Sequence, residues 1–392
     1  MVATGTVALF VVAALASLFM AWAIGAGSSG STPFAPAVGA NAISVLRAGL
    51  IVGILGFLGA VLQGANVTEA VGTALIDGVT ITATAAIVGL LTAALLVAVG
   101  VFAGYPIATA FTVTGAVVGV GLALGGDPAW PKYTEIVALW TAVPFVGGFA
   151  AYATARTLRS QRVPESVAVP LLGGLVGAIL ANVGFSVLGP SGQQASVAGT
   201  LGPQLGLPSG STVVTLVLAA VAVGLLRFDV GRDEAAGQRH FLLVLGGLVA
   251  FSAGGSQVGL AIGPLVPLVG DGIDLPVFAL LVGGGLGLLA GSWTGAPRMI
   301  KALAQDYSSL GPRRSIAALI PSFAIAQTAV AFGIPVSFNE IIVSAIVGSG
   351  YAAGGSGVSR KKMINTVLAW LGSLTVALVG GYLAFTAVDA VV

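Results

Sequence analysis

Gly104-Tyr-Pro-Ile-Ala-Thr-Ala-Phe111 and Gly333-Ile-Pro-Val-Ser-Phe-Asn-Glu340 read as two copies of one segment, with 229 residues separating Gly104 from Gly333. Trp140 returns as Trp370, 230 residues on. Ser28-Ser29, followed by Ala35-Pro36, returns as Ser256-Gln257, followed by Gly263-Pro264, 228 residues on. Three landmarks in order at nearly one offset indicate an internal duplication, a construction common among transporters.

The surroundings of these copies fix the solvent. Of 392 residues only 15 Lys+Arg and 13 Asp+Glu are charged, 7% of the chain, against about 25% in a soluble domain. Hydrophobic residues make up 57% and the mean hydropathy is +1.07. This excludes a soluble globular protein and indicates an all-α polytopic membrane protein of roughly 10–12 transmembrane segments. The apolar stretches lie near 4–25, 45–65, 79–101, 105–124, 134–156, 168–188, 211–227, 240–262, 275–295, 314–332, 335–352 and 364–388. The first lacks the basic flank of a signal peptide and reads as a span. Zero cysteines and the single His240 argue against a disulfide framework, thiol catalysis and a metal centre. A net charge of +2 without a basic run gives no nucleic-acid tail. The expected partners are lipid and small solutes, with no cofactor.

Orientation follows from the cations, which stay cytoplasmic in short loops. Arg156, Arg159 and Arg162; Arg227, Arg232 and Arg239; Arg298, Lys301, Arg313 and Arg314; and Arg360, Lys361 and Lys362 follow segments five, seven, nine and eleven. The opposite loops hold Glu69 and Asp77, Asp127 with Lys132, and Asp271 with Asp274. Both termini are therefore expected outside the cytoplasm, in a multi-pass protein of the plasma membrane. The repeat offset corresponds to seven segments, and an odd shift reverses the direction of entry. The expected organisation is two inverted repeats, residues 1–157 and 240–392, joined by a connecting region at 158–239. Inverted repeats place a substrate site near the bilayer midplane, where broken helices meet.

Gly25-Ala-Gly-Ser-Ser-Gly-Ser-Thr-Pro33 and Ser252-Ala-Gly-Gly-Ser-Gln257 both read as helix interruptions. A break at membrane depth is tolerated where its freed backbone groups line a cavity or are buried in protein, and a half-helix N-terminus attracts anions. Ser28, Ser29, Ser31, Thr32, Ser256 and Gln257 then supply neutral donors. The bland alternative is that these small residues only permit close helix packing. Pro106 and Pro335 suit a first helical turn; Thr109, Thr112 and Thr114 follow one, Ser337 and Asn339 the other, as contacts from a re-entrant hairpin or as parts of ordinary spans. Glu340 is the one charged-type residue placed inside a span, which marks it as a coupling residue or as a protonated structural group. Gly27-Ser-Ser-Gly30 and Gly354-Gly-Ser-Gly357 spell an intramembrane serine-protease pattern, but no histidine base is placed to serve it. An enzyme is not expected. A passive anion channel is the alternative to a carrier, since half-helices also build pores.

At these residues the sequence resembles the inorganic phosphate transporter (PiT) family over nearly the whole chain. Ala-Ile-Gly-Pro-Leu265, the two Gly-x-Pro segments, Val67-Thr-Glu-Ala-Val and Leu75-Ile-Asp carry the likeness. The resemblance implies a secondary transporter that imports an inorganic oxyanion, with phosphate first, and a possible homodimer. The family's Asn-Asp pairs, which supply carboxylates for sodium, are here Ser28-Ser29 and Ser256-Gln257, and its histidine becomes Phe111 and Glu340. These departures look closer to the sulfate-permease branch. They point away from sodium, toward a coupling proton with Glu340 as its carrier.

Overall fold

The computed structural model describes residues 4–190, 193–269, 275–307, 309–354 and 358–391. Asp271, Asp274 and the last three residues of Gly354-Gly-Ser-Gly357 lie outside them. In chain order the helices are α1 (Thr4–Ile24), α2 (Ala35–Gly39), α3 (Val45–Gln63), α4 (Ala65–Thr73), α5 (Ala83–Ala103), α6 (Thr109–Ala123), α7 (Trp130–Leu158) and α8 (Glu165–Ala181). There follow α9 (Val197–Leu201), α10 (Gly210–Arg232), α11 (Glu234–Ile262), α12 (Val277–Thr294), α13 (Ala296–Gln305), α14 (Pro312–Ala331), α15 (Phe338–Tyr351) and α16 (Arg360–Asp389). Each of the twelve expected apolar stretches contains a helix. Among the described residues nine helices are long and apolar enough to cross a bilayer; α6, α8 and α15 are shorter.

The two Gly-x-Pro segments shorten their crossings by the same means. Gly104 and Gly333 take left-handed φ values of 72° and 59°, which cost little without a Cβ, and Pro106 and Pro335 then remove a helix donor. Helix formation resumes only at Thr109 and Phe338. Each crossing is thus part extended chain and part half-helix.

The interruption expected at Ser252–Gln257 is not there, which corrects the sequence reading. α11 runs through it without a break to Ile262, and a 3₁₀ turn over Gly263–Leu268 follows. Its glycines serve close packing instead. A Cβ at Gly254 would lie 1.8 Å from the Gly56 carbonyl oxygen, and one at Gly59 would lie 1.8 Å from that of Phe251, so α3 and α11 approach backbone to backbone. In the first half the interruption is real: α1 passes into a π turn over Gly25–Ser29, and the chain leaves the helix after it.

Charge separates the two ends of the molecule. α7 starts beside the paired strands β1 (Ile76–Asp77) and β2 (Asp127–Pro128), and its 29 residues carry it about 43 Å, at 1.5 Å per residue, past Arg156 to Leu158. At that far end Arg313 pairs with Glu165, to which Gln238 also donates. Lys362 pairs with Asp306 at 3.1 Å, and Arg239 Nε donates to the Ala42 carbonyl at 3.0 Å. There α13 buries Met299, Ile300 and Leu303 while exposing Arg298 and Lys301. A second strand pair, β3 (Gly184–Phe185) with β4 (Ala195–Ser196), closes the connecting region.

Candidate substrate site

The structure brings together residues from the π turn, from α11 and from the first turns of α6 and α15. Ser28, Thr109, Ser256, Gln257, Ser337 and Asn339 are fully buried, and Ser29 nearly so. Thr109 Oγ1 donates to Gln257 Oε1 at 2.8 Å and lies 3.4 Å from Ser28 Oγ. Gln257 Nε2 donates to the Val336 carbonyl. Asn339 Nδ2 donates both to the Gly27 carbonyl, at 2.9 Å, and to that of Ile107, at 2.7 Å. The residue after each proline, Ile107 or Val336, therefore has its carbonyl held by a side-chain amide, and the two half-helix N-termini meet around Ser28 and Gln257.

Neither half-helix receives a hydrogen bond from its N-cap side chain, so its first N–H groups keep their capacity for an acceptor. Ser29, Ser256 and Ser337 have buried hydroxyls without a partner among the described residues, as do Asn339 Oδ1 and Glu340 Oε2. Buried polar atoms are nearly always satisfied, so a cluster of unpartnered ones marks a candidate site for a polar solute. Both amide protons of Asn339 are committed to carbonyls, so the group this side chain has left to offer is Oδ1, an acceptor. Glu340, on the first turn of α15, is the one acidic or basic residue in the buried set among the described residues.

Two of the expected donors act locally. Ser31 Oγ and Thr32 Oγ1 both donate to the Ser28 carbonyl, at 3.2 and 3.0 Å, and hold the turn. Thr112 Oγ1 is spent on the Ala108 carbonyl at 3.0 Å, while the Thr114 hydroxyl is buried without a partner. Sequence reasoning missed a second polar chain. Gln63 lies 3.3 Å from Gln327, which donates to Ser252 Oγ at 2.6 Å, and Gln63 Nε2 also donates to the Gly184 carbonyl at 2.7 Å. An amide inside an apolar stretch was its only signal.

The sequence pattern of the phosphate transporter family matches residues 24–381. The chain belongs to that family. Family members similar to it include a Pyrococcus horikoshii protein named "Putative phosphate permease", 26% identical over 91% of this chain and 92% of its own. Another is the chloroplastic inorganic phosphate transporter 2-1 of Arabidopsis thaliana, 25% identical over 92% of this chain and 69% of its own. A solved structure titled the sodium-dependent phosphate transporter matches with a TM-score of 0.82 at 22% identity, covering 98% of this chain and 100% of that one. Family membership and the nine apolar helices make the protein a multi-pass membrane protein.

Proposed function

We propose that this protein imports inorganic phosphate across the plasma membrane in symport with protons. The anion is held where the N-termini of α6 and α15 converge, by Ser28, Ser29, Ser256, Gln257, Thr109, Ser337 and Asn339. The observation that carries the reading is the set of buried, unpartnered hydroxyls on the π turn (Ser29), on α11 (Ser256) and at the N-terminus of α15 (Ser337), together with two half-helix N-termini that have no side-chain cap. Phosphate is favoured over sulfate by Asn339 Oδ1, since an acceptor needs a donor opposite it. At neutral pH phosphate keeps a proton to donate, and sulfate has none. The names of the relatives point the same way.

Residues 1–157 and 240–392 are read as inverted repeats about this site, joined by 158–239, with both termini outside. The equivalent tryptophans support that reading: Trp140 Nε1 bonds the Pro335 carbonyl and Trp370 Nε1 bonds that of Pro106. Glu340 is the coupling residue, because it is the one buried carboxyl beside the cluster and intramembrane carboxyls commonly carry protons. The structural neighbour's title names sodium, which is the competing reading.

Uptake of labelled phosphate into proteoliposomes tests both, with a proton or a sodium gradient imposed separately. Accumulation driven by the proton gradient and insensitive to excess sulfate is expected. Sodium-driven accumulation with no proton effect would replace the proton by sodium. Equilibration without accumulation would make the protein a channel. Glu340→Gln is expected to abolish proton-driven accumulation while phosphate exchange persists.

A further inference from the structure

A groove of about 840 Å³ runs between α7, α15 and α16. Phe111, Trp140, Glu340 and Trp370 line it on the side of the half-helices, and its walls include Phe145, Phe149 and Tyr152 on α7 and Val367, Leu371 and Leu374 on α16. Phe145 and Phe149 are each 73% exposed, so the groove is open along its length. Met363 and Leu374, both in the lining, are separated along α16 by about 17 Å at 1.5 Å per residue. That is close to the depth of one leaflet, half of a hydrocarbon core about 30 Å thick.

The two walls end alike. Phe145, Phe149, Tyr152 and Arg156 fall at spacings of four, three and four on one face of α7, and Arg360, Met363, Val367 and Leu371 at spacings of three, four and four on one face of α16. Arg156 and Arg360 are exposed, and neither makes a salt bridge among the described residues. At the opposite ends of these helices lie the Lys132–Glu135 pair and Asp389. An apolar channel one leaflet deep, with a guanidinium one helical turn beyond the lining on each wall at the same end, matches an amphiphile with a single anionic head.

We infer that the groove holds an acyl chain of an anionic phospholipid from the leaflet facing the basic loops, its phosphate held between Arg156 and Arg360. The chain covers the groove face of Glu340, whose Oε2 is buried without a partner, and shields it from the bilayer side. The groove meets the oxyanion cluster at Glu340, but the lipid it holds does not depend on what that cluster transports.

The indoles beside the groove provide the test. A variant with Trp22, Trp130 and Trp293 changed to Phe leaves only Trp140 and Trp370 to fluoresce. It is reconstituted in phosphatidylcholine vesicles containing phosphatidylglycerol, with brominated chains on one lipid or the other. Brominated phosphatidylglycerol is expected to quench more strongly than brominated phosphatidylcholine at equal mole fraction, and Arg156→Gln/Arg360→Gln to erase the difference. Equal quenching by both lipids, or a difference surviving the double change, would overturn the inference. Native mass spectrometry of the unmodified protein checks it without any variant: retention of phosphatidylglycerol over phosphatidylcholine supports it, and equal retention refutes it. The chain has no cysteine of its own, so Val367→Cys is unique, and a disulfide-linked dimer in membranes would place a second copy in the groove instead.

Discussion

The indole of Trp140 on α7 donates to the Pro335 carbonyl at 2.8 Å, and Trp370 on α16 makes the matching bond to Pro106 at 2.8 Å. Each long helix thereby clamps the extended segment of the other half, and each is packed against that half's short helix, α7 on α15 and α16 on α6. Trp140→Phe or Trp370→Phe keeps an aromatic ring but removes the N–H and strands a buried carbonyl, at a cost of about 1–3 kcal/mol. Both variants should lose thermal stability and phosphate uptake to similar extents. An effect confined to one of them would break the equivalence of the two clamps.

Ser29→Ala and Ser337→Ala each remove a hydroxyl with no partner in the protein, so neither should lower stability. A hydrogen bond to a charged ligand contributes about 1.5–3 kcal/mol. KM for phosphate should therefore rise about tenfold or more, since 1.4 kcal/mol is a factor of ten. Unchanged KM with lost stability would place these hydroxyls outside the site.

Asn339→Leu removes the acceptor that favours a protonated oxyanion, along with both carbonyl contacts. Asn339→Asp keeps the acceptor and separates the two effects. Selectivity for phosphate over sulfate, measured by competition, should fall in the first variant and persist in the second. Selectivity retained in Asn339→Leu would remove Oδ1 from the discrimination.

Gly254→Ala should be severe, because its Cβ would meet the Gly56 backbone and a helix backbone has nowhere to move in a packed interior. Gly224→Ala on α10 meets nothing within 4 Å and should stabilise by about 0.5–1 kcal/mol through helix propensity. Thermal melts in detergent read both.

Much of the fold was legible because the membrane makes hydrophobicity nearly sufficient. Segment positions came from apolar length, whereas Gly104-x-Pro106 and Gly333-x-Pro335 marked a turn without deciding between an ordinary span and a shortened one; the structure gives the short helices. The reading failed at Ser252–Gln257, where glycine signals either a break or a close contact. The choice rests on α3, almost two hundred residues away, and no local pattern carries that. Within the site, residue types were readable and their assignments were not. Ser31 and Thr32 look equivalent to Ser28 and Ser29 in sequence, yet the turn bends their hydroxyls back onto the Ser28 carbonyl. The acceptor character of Asn339 arises only from where its amide protons go.

The glycine contacts between α3 and α11 also constrain movement. Two backbones touching at Gly56–Gly254 and Gly59–Phe251 interlock like gear teeth, so neither helix slides or rolls without lifting off the other. Gly148 and Gly348 mesh α7 with α15 in the same way, a Cβ at Gly348 lying 2.0 Å from the Gly148 carbonyl oxygen. If the proposed site opens to one side and then the other, these contacts predict that whole meshed pairs swing as levers, with the sliding surfaces where side chains, and not main chains, face each other.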